Sequence, residues 1–219
     1  MDTPVSPELL LMLLADARLP AAGHTQSGGL EPAVVAGVGA GQVPEYIATR
    51  LATVTRVEAA TAVVCLHQLR AGAELGPVEA AWAARTPSAA MRRTSRAQGR
   101  ALLRQARRLW PRLPELGATP SRPMVFAGAA SAAGLSPRSL ASLVGYDDVQ
   151  TVASASLKLL PLDPAVSTQW VFDALPLVDA LADEVRDLRE PSAIPAAGSP
   201  QIEAWAEAHA RGNRRLFSA

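Results

Sequence analysis

The chain has 219 residues, a length that fits one domain with a substantial core. Its 21 basic and 20 acidic residues nearly cancel, so net charge provides no general attraction to nucleic acid or to an anionic membrane. No segment has the roughly 18 consecutive apolar residues of a membrane-spanning helix, and a composition that is 49% hydrophobic but only 4% aromatic favours closely packed helices over sheets.

The single cysteine, Cys65, lies in an apolar run and has no partner for an internal disulfide. A free thiol is typical of a reducing compartment. Asp2 and Glu8 precede the first apolar stretch, where a secretory signal would carry positive charge. We therefore expect a cytoplasmic protein in which Cys65 belongs to the core.

Helix starts recur along the chain, because proline repeatedly stands where a first helical turn tolerates it, as at Pro7, Pro44, Pro87 and Pro137. The expected fold is all-α, a single-domain bundle of about ten helices within residues 1–190. The individual helices are predicted over residues 7–18, 30–38, 44–70, 77–84, 87–109, 122–133, 137–144, 147–160, 164–175, 176–188 and 202–211.

The composition between residues 188 and 202 changes to proline, alanine, glycine and serine, which is typical of a linker. We expect residues 191–219 to form a proline-rich linker and a flexible C-terminal tail that binds a partner. A helix beginning at Ile202 would place Trp205 and His209 on one side. An anchor of one cation and two apolar residues follows: Arg215, Leu216 and Phe217.

The most unusual local sequence precedes Leu30, where two helical stretches are interrupted by Pro20, Gly23, Gly28 and Gly29. Glycine adopts backbone angles unavailable to other residues and lets another chain approach closely. Ser27 is placed to cap the helix that Leu30 begins, and Glu31 lies favourably near its N-terminus. The loop is either a structural turn or a surface for close contact with a partner.

No motif for nucleotide binding or catalysis is recognisable. The glycine loop lacks the Lys and Ser/Thr of a phosphate-binding loop, and the sequence shows no clear acid partners that would make a triad with His24, His67 or His209. His24, alone in a loop, is more typical of an ordinary hydrogen-bonding residue than of a metal ligand. We expect no catalytic residue, no resident metal and no cofactor. An alternative is a small hydrolase that uses Ser27 or Cys65 as its nucleophile. The main objection is that no base is recognisable that would activate the nucleophile.

A basic stripe lies in the predicted helix over residues 87–109. Residues 85–112 contain nine arginines and no acid, and five of them follow at four-residue intervals: Arg92, Arg96, Arg100, Arg104 and Arg108. The stripe is a solvated face, a surface for an acidic protein, or the nucleic-acid contact of a helical regulator, although no aromatic residues interleave it. We expect no nucleic-acid partner.

Four segments resemble one family. They are LLADARLPAAGHTQSGGLE, SRAQGRALLRQA, LKLLPLDP and RRLF, and their order and spacing agree with the UreF family of urease accessory proteins across almost the whole chain. The first matches the family's Leu-Pro turn and Ser-X-Gly-Leu-Glu motif. In the third, Lys158 occupies the position of a family basic residue.

The resemblance implies a cytosolic, non-enzymatic adaptor for nickel insertion that forms a homodimer, binds the accessory protein UreD or UreH, recruits the nickel-carrying GTPase UreG, and docks on urease apoprotein. It also points to UreD or UreH as the surface that receives the tail. The glycine loop, which exposes backbone for close contact, is expected to recruit the GTPase. A Gly28→Arg change is then expected to impair recruitment while leaving the fold intact. The expected partner-binding residues are Pro20, Gly23, His24, Ser27, Gly28, Gly29, Glu31, Lys158, Trp205, His209, Arg215, Leu216 and Phe217.

Overall fold

The computed structural model describes residues 5–16, 26–212 and 216–217. Within these ranges the chain forms ten α-helices and no strand, so the predicted all-α fold is confirmed. None of the described helices combines the length and the apolar character needed to cross a lipid bilayer. The helices are α1 (Pro7–Leu14), α2 (Leu30–Val35), α3 (Val43–Ala52), α4 (Val54–Ala71), α5 (Gly76–Arg85), α6 (Ala89–Leu109), α7 (Arg122–Ala133), α8 (Pro137–Leu159), α9 (Pro164–Val185) and α10 (Pro200–Arg211).

Helix α4 lies at the centre of the fold. All of residues 59–66 are buried, and most of their side chains are alanine, valine or leucine. These small side chains let α7 and α8 pack directly against α4, while α9 packs along α8. Cys65 is fully buried in this core, as predicted. The composition thus produces a helical core with few aromatic side chains.

Two predicted helix breaks are wrong, because α8 and α9 are each continuous. Gly145 lies inside α8, where a Cβ would stand 3.0 Å from Val178 Cγ1; this glycine therefore admits a close neighbour instead of ending a helix. Pro176 lies inside α9 on an exposed side of the helix. It has no N–H to donate to the Phe172 carbonyl, but Phe172 is also exposed, so this carbonyl can bond to water.

One predicted helix is divided in two. The helix expected over residues 44–70 breaks at Thr53, whose backbone angles of φ −125° and ψ −94° are not helical. The Thr53 hydroxyl donates to the Thr49 carbonyl at 2.6 Å, a local bond that competes with the helical ladder. The break gives α3 and α4 different directions, so that α3 can also contact α8 and α9.

The segment predicted as a linker packs on the helical body. It contains a short 3-10 helix, Pro191–Ala193, and the side chain of Ile194 is buried. Arg85 at the end of α5 donates to the carbonyls of Ile194 at 2.5 Å and Ser192 at 3.2 Å. These contacts fix the position from which α10 begins.

Candidate binding site at the glycine turn

Gly28 and Gly29, here called the glycine turn, lead directly into α2. Both have positive φ, +58° and +78°. A Cβ on Gly28 would lie 2.9 Å from Val152 Cγ2, and one on Gly29 would lie 2.8 Å from the hydroxyl oxygen of Tyr46. Both positions require glycine for conformation and for packing. The expectation that Gly28→Arg leaves the fold intact is therefore revised, since the substitution strains the turn itself.

Ser27 supports the start of α2, although the N-cap residue is Gly29 and not Ser27 as the sequence predicts. Its Oγ accepts a hydrogen bond from the backbone N–H of Glu31 at 3.3 Å, and its carbonyl accepts one from Leu30 at 3.0 Å. Two of the otherwise unpaired N–H groups of the first turn are satisfied in this way. The Ser27 hydroxyl oxygen thus has a structural hydrogen-bond donor, and no side chain of the described residues is hydrogen-bonded to it.

A buried ion pair lies next to the glycine turn. Arg50 on α3 donates from Nε to Asp148 Oδ2 at 2.9 Å and from Nη2 to Oδ1 at 2.5 Å, and Thr55 donates to Oδ2 at 2.7 Å. Burial alone would raise the pKa of Asp148, but Arg50 and these hydrogen bonds hold that pKa below its ordinary value. Tyr46 completes the arrangement by donating its hydroxyl to the Gly28 carbonyl at 2.8 Å.

Glu58 on α4 is a second acid in this region, and its side chain is half-buried. Burial raises its pKa to about 7, although a hydrogen bond from the Trp82 indole and the positive charge of Arg122 oppose the rise. The indole Nε1 donates to Glu58 Oε1 at 2.8 Å. Arg122 forms an ion pair with Asp147. Glu58 therefore differs from Asp148 in having no cation bound directly to its carboxylate among the described residues.

The end of the tail is held by Glu31. The backbone N–H groups of Leu216 and Phe217 donate to its carboxylate oxygens at 2.6 and 2.9 Å, and His209 Nε2 lies 3.5 Å from Oε2. The Phe217 ring is only 4% exposed, and the Lys158 ammonium lies 5.2 Å from its centroid. This geometry combines a charged acceptor for two N–H groups with a cation–π contact.

Helix α10 also packs on the body. Ile202 is buried, and the Trp205 ring lies 6.3 Å from the ring of Tyr46 at a tilt of 39°. Ile202 and Phe217 therefore pack on the body, which differs from the expected flexible tail, whereas the Leu216 side chain is 63% exposed. The physical reason is that Glu31 and the surface around Tyr46 supply partners within the same chain.

The structure brings the predicted loop and tail residues into one region, here called the turn–tail site. Sequence reasoning treated them as two separate surfaces. Pro20, Gly23, His24 and Arg215 lie outside the described residues. The members that the structure places together are Ser27, Gly28, Gly29, Glu31, Lys158, Trp205, His209, Leu216 and Phe217.

Sequence reasoning missed the charged residues behind this site, of which Arg50 is buried and the other three are half-buried. Arg50, Glu58, Arg122 and Asp148 lie within helices, and their partners are distant in sequence; Arg50 and Asp148 are separated by 98 positions. The available signal was a charged residue inside an otherwise apolar helical stretch, as at Glu58 in α4. Such a residue is rarely buried without a partner or a role.

The alternative sites have other uses in the fold. Burial raises the pKa of the Cys65 thiol, which disfavours the nucleophilic thiolate. Among the described residues, no three His, Cys, Asp or Glu side chains are grouped as metal ligands. Of the arginine stripe, Arg92 donates to the carbonyls of Thr86 and Pro87, and Arg96 pairs with Glu79. The stripe is therefore not a continuous free cationic surface.

Comparison with known proteins identifies the family. The UreF family model matches residues 38–175. The urease accessory protein UreF of Mycolicibacterium vanbaalenii is 37% identical over 214 residues, which cover 95% of this chain and 97% of that protein. The UreF proteins of Mycobacterium sp. strain JLS and Mycobacterium tuberculosis strain H37Rv are 35% and 32% identical, each with the same coverage of both chains. The chain belongs to the UreF family of urease accessory proteins.

Proposed function

We propose that this chain is a non-enzymatic adaptor in urease maturation. It binds the UreD or UreH accessory protein through α10 and the tail, recruits the nickel-carrying GTPase UreG at the glycine turn, and joins them to urease apoprotein. Family membership supports the role in urease maturation. The arrangement of the turn–tail site supports the adaptor role, because one surface offers both backbone and side-chain contacts.

The observation that carries this proposal is the carboxylate of Glu31. Its backbone belongs to the first turn of α2, and its side chain holds the tail through Leu216 and Phe217. A protein that contacts the tail therefore touches a structure continuous with the glycine turn. Two partners bound at these places would lie next to each other, as an adaptor requires.

The two residues at the end of the tail have different roles in this proposal. Phe217 is 4% exposed and anchors the tail to the body, whereas Leu216 is 63% exposed and is available to a partner. Leu216→Glu should weaken binding of UreD or UreH at least tenfold while leaving the melting temperature unchanged, since exposed sites contribute little to folding. Phe217→Ala should release the tail and lower both affinity and local protection from hydrogen exchange.

Calorimetry with purified UreD or UreH tests this division, and deletion of the residues after Ser199 provides the limiting case. The deletion should abolish the complex and leave most helical content, measured by circular dichroism. Undiminished affinity of the deletion variant would refute the docking role of the tail. Equal affinity of Leu216→Glu and the unmodified chain would refute the contact assigned to Leu216.

The proposed adaptor is a homodimer. An apolar groove of about 930 Å³ lies between α1, α8 and α9, and Met12 and Phe172 at its surface are 68% and 66% exposed. Asp179, which lines the groove, is paired with Arg138 of the same chain. Because its charge is already neutralised, the groove presents a mainly apolar surface, which suits burial against another protein surface. The occupant that we propose is a second copy of this chain.

Light scattering after size-exclusion chromatography tests the dimer. Phe172→Asp should shift the protein from dimer to monomer, because it places a charge at the centre of an apolar contact. Leu109→Asp, at an exposed apolar residue on α6 outside the groove, is the matched control and should leave the mass unchanged. A dimer that persists in the Phe172 variant would exclude this groove as the interface.

The absence of catalysis and of a resident cofactor is part of the proposal. The proposal is supported by the burial of the Cys65 thiol and by the Ser27 hydroxyl, whose oxygen accepts the backbone N–H of Glu31 and has no hydrogen-bonded base among the described residues. Nickel is cargo of the assembly in this view. A cytoplasmic location fits the free thiol of Cys65. The proposed absence of catalysis would be overturned by GTPase or urease turnover that copurifies with this chain and is lost on substitution of Ser27 or Cys65.

A further inference from the structure

A half-open cavity of about 120 Å³ lies beside the glycine turn. A single water needs only roughly 10–15 Å³, so the cavity has room for several waters or for the end of a side chain. Its walls come from the turn and from α2, α3, α4, α6, α7, α8 and α10. The residues that matter for charge are Arg50, Glu58, Arg122, Asp148 and His209.

The charges around the cavity do not balance within the described residues. Arg50 is neutralised by Asp148, and Arg122 is neutralised by Asp147. Glu58 receives one hydrogen bond, from the Trp82 indole to Oε1, and no ion pair. The second carboxylate oxygen, Oε2, has no hydrogen-bond donor among the described residues. The lining itself carries two guanidinium groups and two carboxylates. Because Arg122 is also paired with Asp147, which lies outside the lining, the region as a whole has three carboxylates against two guanidinium groups.

The remaining walls suit a long amphipathic side chain. Pro32, Val54, Met91 and Ile202 are apolar and can contact methylene groups. The hydroxyls and the amide oxygen that line the cavity can accept hydrogen bonds from N–H groups; they belong to Thr86, Thr94, Ser95, Gln98 and Thr151. Lysine and arginine combine a long apolar stem with a charged N–H donor head.

We propose that this cavity receives a lysine or arginine side chain presented by the protein that docks on the glycine turn, with Glu58 as its counter-ion. The inference rests on the proposed function, since it specifies the chemistry of the partner at the same surface. An anion is disfavoured because both guanidinium groups already have carboxylate partners. A divalent metal is disfavoured because Glu58 has no neighbouring His, Cys or acid that completes a group of ligands in the described part of the chain.

Binding of a cation at this place should be linked to a proton. Charged groups reach the cavity from four other helices: Arg50 from α3, Arg122 from α7, Asp148 from α8 and His209 from α10. Burial raises the pKa of Glu58 to about 7. With the cavity empty, the Glu58 carboxyl group is therefore mostly protonated at pH 6 and mostly ionised at pH 8. A cation stabilises the ionised form and should lower that pKa.

The first test uses a small probe and the intact chain. Propylguanidinium carries the head group of arginine, and propylurea is its neutral analogue. The indole N–H resonance of Trp82, assigned with Trp82→Phe, reports ionisation of Glu58 because the two groups are hydrogen-bonded. Propylguanidinium should move the titration midpoint of this resonance to lower pH, propylurea should not, and Glu58→Gln should abolish the titration. An unchanged midpoint at saturating propylguanidinium would overturn the proposal.

The second test separates this inference from the proposed function. We expect the GTPase to bind the unmodified chain, in complex with UreD or UreH, on the order of tenfold more tightly at pH 8 than at pH 6. Glu58→Gln should weaken binding at pH 8 and remove this dependence, whereas Glu190→Gln, at an exposed acid, should behave like the unmodified chain. Equal binding to all three at both pH values would overturn the side-chain pocket but keep the adaptor role. No binding to the unmodified chain would overturn the adaptor role itself.

Discussion

Replacing Glu58 by glutamine removes the carboxyl group that titrates. Comparing the two proteins therefore measures how much ionisation of this half-buried acid lowers the free energy of unfolding. Glutamine keeps the shape of the side chain and an oxygen that accepts the Trp82 indole N–H. The pKa of Glu58 is about 7 in the folded chain against an ordinary value of 4.5, so the folded state binds the proton more tightly than the unfolded state. The stability that this tighter proton binding gives to the folded state is fully present below pH 4.5 and is lost as the pH rises through 7.

The magnitude follows from the two pKa values. At ~1.4 kcal/mol per pH unit, the loss approaches roughly 3 kcal/mol above pH 7. Most of it accumulates between pH 5 and pH 8, so the stability of Glu58→Gln relative to the unmodified chain should rise by about 2.5 kcal/mol over that range. Taking the difference between the two proteins removes the titration of all other groups.

Urea unfolding followed by circular dichroism at several pH values measures this difference. Glu190→Gln is the control, because Glu190 is exposed and its replacement should give a pH profile parallel to that of the unmodified chain. The reasoning fails if the Glu58→Gln profile is also parallel, since Glu58 would then titrate alike in folded and unfolded chains.

Two further substitutions test the packing around the site. Gly99→Ala should lower the free energy of unfolding by about 1–2 kcal/mol, because its Cβ would overlap the Pro120 carbonyl oxygen and the cost of this overlap exceeds the ~1 kcal/mol gain in helix propensity. A more stable variant in urea unfolding would contradict the close contact. Asp148→Asn should cost about 3–5 kcal/mol by leaving Arg50 charged and buried. Asp179→Asn, in an exposed ion pair, should cost no more than about 1 kcal/mol in the same assay, and equal losses would disprove the difference in burial.

Helix positions were predictable from the sequence wherever local chemistry determines them. Ser6, Ser136 and Asp163 accept hydrogen bonds from the first turns of α1, α8 and α9, and the residues after them begin helices as predicted. The errors occur where tertiary contacts decide. A glycine such as Gly145 is typical of a helix break, but here it lets α9 pack closely against α8. No local sequence pattern distinguishes a glycine that ends a helix from one that admits a neighbouring helix.

The candidate site was predictable only in part, for a related reason. The glycines and the tail anchor are unusual in the sequence itself, so both could be identified as binding segments. Their contact could not, because Glu31 and Phe217 are separated by 186 positions. Glu58 was missed for a different reason: its significance depends on burial without a cation, and a single acid in a helix does not reveal that.

The position of Glu31 has a consequence for how the two proposed partners influence each other. Its carboxylate accepts the N–H groups of Leu216 and Phe217, while its backbone N–H is bonded to Ser27 beside the glycine turn. A partner that fixes the tail in this position also fixes α2 and therefore the wall of the cavity. By linkage, the GTPase should then bind more tightly when UreD or UreH is present, and UreD or UreH should gain affinity by the same factor when the GTPase is bound. The coupling requires the side chain of Glu31, so that Glu31→Gln should reduce it more than it reduces either affinity measured alone.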